Sequence, residues 1–134
     1  MNIENLTRLR DEILTRTTFH FDMSKGLVAD ADGSDWCNST CCIAGLAFAL
    51  SAEPALLSAA INRARKRYAE TELPGDLEVE WAEVREGALR WLGIEPDTTW
   101  EGHPLFAAPR VGNVDRKRAA EAIDRVIQGQ HPWK

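Results

Sequence analysis

The chain has 134 residues, 44% of them hydrophobic, which is enough for one domain with a substantial core and too few for two. Its 21 acidic and 16 basic residues leave a net charge of −5, which argues against nonspecific attraction to nucleic acid or to anionic lipid as the main activity. The opening residues, Met1-Asn2-Ile3-Glu4-Asn5, lack the basic-then-apolar order of a signal or transit peptide, and three cysteines in such a chain point to reduced thiols in a cytoplasm.

In chain order, Ile3, Leu6, Leu9, Ile13 and Leu14 fall on one helical stripe that Asn2 can cap and that ends near Thr15. An extended segment follows, with Phe19, Phe21 and Met23 on one side and His20 and Asp22 on the other. The acidic run 30–35 reads as a solvated loop. Counted from Asp30, it has glycine at the fourth position and Cys41 at the twelfth, against the glycine at six and glutamate at twelve that an EF-hand needs.

Residues 41–50 carry no polar side chain, so a helix there is apolar all round and must be wrapped by the other elements. It is also half the length of the ~20 residues a bilayer span requires. Ser39 or Thr40 is the expected cap, and Gly45 lets another backbone approach. Pro54 then opens a helix with Leu57, Ile61, Ala64 and Tyr68 inward and Arg63, Arg65, Lys66 and Arg67 outward. Asp76 is the expected cap of a longer helix with Leu77, Trp81, Val84, Ala88 and Leu92 buried and Gly93 at its end. Residues 94–112, with three prolines, read as an ordered loop with at most one helical turn. Asn113 can cap a last helix with Ala119, Ala120, Ile123 and Ile127 inward, ended by Gly129.

These elements predict an all-α fold: a compact single-domain helical bundle, residues 1–134, around a buried central helix, with two long ordered loops. Five short pieces then carry a resemblance. Phe21-Asp22-Met23, residues 37–45, residues 88–94, Leu105-Phe106 and residues 118–129 follow the order of an F-x-M segment, C-G-T-x-x-C-(I/L)-A-G, A-x-x-x-L-G-(L/I), L-F and an alanine-rich helix. In this the chain resembles a group of small α-helical proteins of bacteria and their phages, with Asn38 and Ser39 where that pattern has glycine and threonine. The resemblance implies a helical fold and a phage or mobile-element origin, and it carries over no catalytic residue.

Three chemistries compete for the remaining residues. Cys37, Cys41 and Cys42 sit at the amino end of the central helix, where its dipole favours a thiolate, with His20 or His103 as a base; Cys41 and Cys42 are nonetheless expected to serve as small core hydrophobes rather than as nucleophiles. Zinc is disfavoured because C-x3-C followed at once by cysteine is not a pair of knuckles, and no cofactor is expected. The basic runs 63–67 and 116–118 suit phosphate binding, but a solvated face is the expected role, so nucleic acid is an unlikely partner. The loops 30–39 and 97–111 hold Trp36, Trp100, His103 and Arg110, and are expected to meet at the amino end of the central helix as a site for a host protein or a small anionic ligand. The resulting expectation is a non-catalytic binding protein of undetermined oligomeric state, with a cysteine-dependent enzyme as the alternative.

Overall fold

The computed structural model describes residues 1–16, 19–29, 40–52, 54–71, 77–107 and 114–134. Helix α1 (Ile3–Thr15) starts where expected, with the Asn5 amide donating to Asn2 Oδ1 at 3.0 Å. It buries Leu6, Leu9 and Ile13, while Ile3 and Leu14, at the margins of the stripe, stay in solvent.

The all-α expectation is overturned by a four-stranded mixed sheet, so the fold combines helices and strands. Its strands are β1 (His20–Phe21), β2 (Leu27–Ala29), β3 (Thr40–Cys41) and β4 (Leu77–Val79), in the order β1-β3-β2-β4. β1 runs parallel to β3, and β2 is antiparallel to both β3 and β4. The strands are two or three residues long, too short for an alternating pattern to emerge from the sequence. β4 is the clearest case. Leu77 lies four residues before Trp81 and so mimics the start of a helical stripe, yet Leu77-Glu78-Val79 pairs with β2 and turns Val79 inward and Glu78 outward.

The central helix is α2 (Ile43–Ser51), and every residue from Ile43 to Ala49 is buried. Thr40 belongs to β3 rather than to a cap, and Ser39 lies outside the described residues. Cys42 caps the helix instead, its sulfur accepting from the Gly45 amide at 3.4 Å. Gly45 permits the close approach: a Cβ there would lie 2.0 Å from the carbonyl oxygen of Gly26, which also accepts from the Cys42 amide at 3.1 Å. The central helix is thereby keyed to the β1–β2 connection.

Helix α3 (Pro54–Thr71) buries Leu57, Ala60, Ile61 and Ala64 and packs on β4. Helix α4 (Trp81–Leu92) covers α2 most extensively, burying Val84, Ala88, Leu89 and Leu92, with Gly87 seated on the Phe48 ring. It begins four residues later than the sequence suggests, because β4 takes the residues before it. It ends at Gly93, whose φ of +65° is the left-handed conformation that glycine adopts without cost. A single 3-10 turn (Pro104–Phe106) follows, buried through Leu105 and Phe106. Helix α5 (Arg116–Ile127) packs on α1 and is capped by Asp115, whose Oδ1 accepts from the Arg118 amide at 2.8 Å. The residues proposed as caps of the last two helices, Asn113 and Asp76, lie outside the described residues.

Candidate functional site

Between α4 and the 3-10 turn the chain makes a tight turn over residues 97–102, organised by its own hydrogen bonds. The Asp97 carboxylate accepts from the Thr99 amide at 2.8 Å and from the Thr99 hydroxyl, and these bonds hold its pKa below the usual carboxylate value. The Asp97 amide donates to the Gly102 carbonyl at 2.8 Å, and the Gly102 amide donates back to the Thr99 carbonyl at 3.2 Å. Gly102 has φ +81°, and a Cβ there would lie 2.9 Å from Leu89. Trp100 sits at the tip. Its carbonyl accepts from Trp81 Nε1 at 3.1 Å and from Arg85 Nη1 at 3.0 Å, which fastens the turn to the start of α4. Its indole is 69% exposed, with the Arg85 guanidinium 5.9 Å from the ring centroid. The backbone is anchored and the ring is presented.

Two grooves of about 570 Å3 each flank α4. One lies between α4 and the turn and is lined by Arg85, Glu86, Leu89, Arg90, Pro96 and Asp97. The other lies between α4 and the α2–α3 corner, floored by Phe48, Ala52, Gly87 and Trp91, with Leu56 at its rim and the Arg63–Glu83 ion pair across it. Glu86 and Arg90 line both, so the exposed ridge of α4 separates two halves of one surface. Leu56, at 63% exposure, and Trp100 are its two most exposed large apolar side chains.

Of the four site residues expected from the sequence, Trp36 and Arg110 lie outside the described residues. The other two diverge. Trp100 stands beside α4, whereas His103 lines a different cleft, with Met1, Pro104, Gln130 and His131. His103 Nδ1 accepts from the Leu105 amide at 3.0 Å and caps the 3-10 turn. In the neutral ring the proton is then on Nε2, so neither nitrogen offers a free lone pair to a metal or a substrate. Burial pushes its pKa down, an effect Asp97 partly offsets.

The amino end of α2 is closed rather than receptive. The Cys42 amide is bonded to Gly26, the Gly45 amide is bonded to the Cys42 sulfur, and Ile43 and Ala44 are fully buried. Burial raises the pKa of both thiols, Cys42 to about 11 and Cys41 further, so at neutral pH both are protonated and unreactive. Cys37 lies outside the described residues. Among the described residues no group of three or more histidine, cysteine, aspartate or glutamate side chains could hold a metal ion.

The basic runs have particular structural employment. Arg63 pairs with Glu83. Arg116 donates to the carbonyls of Ile13 at 3.2 Å, of Arg16, and of Phe19 at 2.6 Å, with its guanidinium 4.4 Å from the Phe19 ring centroid. No local pattern marks this role, because the carbonyls it joins lie about 100 residues away in sequence.

No protein-family model, curated protein or solved structure matches this chain. Among the described residues no helix is long and apolar enough to cross a membrane.

Proposed function

We propose that this chain is a non-catalytic binding protein that docks a protein partner on the outer face of α4, with Trp100 as the anchor. The observation that carries this reading is the combination of a 69% exposed indole with a backbone turn beneath it that is held by hydrogen bonds at Asp97, Thr99, Trp100 and Gly102. Fixing the anchor before contact removes much of the ordering cost of association, and tryptophan beside arginine is the commonest energetic centre of a protein interface. The flanking grooves supply recesses for partner side chains, and Leu56 extends the apolar contact.

A small anionic ligand is the weaker second reading. Glu80, Glu83, Glu86, Glu95 and Asp97 line the two grooves, and the Arg85 and Arg63 guanidiniums are already engaged. The cysteine-enzyme alternative rests on Cys37 alone, since Cys41 and Cys42 are buried thiols. We assign the cytoplasm as its compartment, consistent with two unpaired buried cysteines, and a host protein as partner, in keeping with the resemblance to phage-associated proteins.

Site-specific photocrosslinking tests this reading. A photoreactive residue at Thr98 should capture a discrete partner from cells, and one at Asp11, on the exposed side of α1, should not. Equal capture at both positions would remove the α4 face as the site.

A further inference from the structure

We propose that the partner docked on the α4 face presents a basic amphipathic segment, with an apolar side chain seated on Phe48 and Ala52 and lysine or arginine side chains set against Glu80 and Glu86. This inference rests on the α4 docking reading above and adds the chemistry of the partner to it.

The recess selects an apolar group. The groove between α4 and the α2–α3 corner holds about 570 Å3 above a floor of Phe48, Ala52, Gly87 and Trp91, a size typical of concave recognition sites. Gly87 brings the backbone of α4 against the Phe48 ring, and at that point α4 carries no side chain to fill the recess.

The rim selects positive charge. Five carboxylates line the two grooves against three arginines, and two of these arginines are committed, Arg63 to Glu83 and Arg85 to the Trp100 carbonyl. Glu80 and Glu86 are exposed, border the recess and form no ion pair among the described residues. The third arginine, Arg90, stands about one turn beyond Glu86, so the negative half of the face is its amino-terminal half. Glu80 and Glu86 are separated by about 9 Å along the helix axis, a span that two cationic groups on one chain match better than a single small ion does. Cations placed there steer the encounter and fix the direction in which the segment lies. Other occupants fit less well. A second copy set face to face would bring two net-negative surfaces together, and a small organic cation would leave Leu56 and Trp100 in solvent.

Selection from a random library of peptides as long as α4, twelve residues, on the whole chain tests this. Peptides retained by the unaltered chain and lost in a parallel selection on the double variant Glu80→Gln, Glu86→Gln should be rich in lysine and arginine around one or two large apolar residues. Both substituted positions are in solvent, so the variant keeps the fold. The enriched peptides should bind about tenfold less tightly to the double variant and to Trp100→Ala, and should weaken as salt is raised from about 0.05 M to about 0.5 M. Peptides that lose affinity in Trp100→Ala but not in the double variant would overturn the basic segment and leave the α4 face standing. Peptides indifferent to both variants would overturn both readings, and a library that yields no binder would overturn the basic segment. Sedimentation of the chain alone covers the remaining occupant: a dimer dissociated by Trp100→Asp would give the face to a second copy and overturn the proposal.

Discussion

The carbonyl oxygen of Gly26 occupies the space that a Cβ on Gly45 would need, 2.0 Å from its ideal position. One glycine thus lets a loop backbone lie directly on the central helix. The Gly26 carbonyl is fixed there because it also accepts from the Cys42 amide. Gly45→Ala should therefore destabilise the fold by about 1–3 kcal/mol or more, although alanine is the better helix former. Urea denaturation checks the sign: a gain in stability would mean that the loop retreats freely.

Phe48 is 7% exposed and lies under Gly87, where a Cβ would come within 2.6 Å of its ring. Phe48→Ala should cost about 3–5 kcal/mol, comparable with the whole stability of a domain this size, and leave the chain largely unfolded by circular dichroism.

Cys42 is a cap as well as a core residue, which separates two substitutions usually treated alike. In Cys42→Ser the hydroxyl can accept from the Gly45 amide, and serine is a preferred capping residue, so stability should change little. Cys42→Ala loses the acceptor and should cost about 1 kcal/mol. Equal losses in thermal melting would show that the sulfur serves only to fill space.

Arg116 should be among the most sensitive charged positions. Replacing it with methionine keeps the aliphatic stem but leaves the carbonyls of Ile13, Arg16 and Phe19 without their donor, a loss of about 2–3 kcal/mol. Arg116→Lys should recover only part of this, because an ammonium cannot span three acceptors in a fork and stack on Phe19 at once.

The helices were legible where a stripe ran for three turns or more. Leu6, Leu9 and Ile13, and likewise Val84, Ala88 and Leu92, are inward as their spacing requires. The terminators Gly93 and Gly129, each with positive φ, were legible for the same local reason. The sheet was not, because its ladder joins residues far apart in sequence, Leu27 with Val79 and Thr40 with Val28, and each strand is only two or three residues long, too short to repeat an alternation. The site was half legible. A tryptophan in a proline-rich loop pointed to Trp100, but its support comes from Trp81 and Arg85 on a helix that sequence treats separately. His103 is close to Trp100 in sequence, yet past the turn at Gly102 it lines a cleft with Met1 and His131, while Trp100 stands exposed beside α4.

The most direct test of the α4 docking face is the affinity of the partner captured by crosslinking at Thr98, measured by calorimetry against three variants. Trp100→Ala should weaken binding by about 1–3 kcal/mol, with a melting temperature close to that of the unaltered chain, because the indole is in solvent. Leu14→Ala, on the exposed margin of α1, and the double substitution of Arg65 and Lys66 by alanine, both on the exposed face of α3 and outside the grooves, should bind nearly normally. Full affinity in Trp100→Ala together with loss of binding in the double variant would contradict the account and move the interface to the basic face of α3.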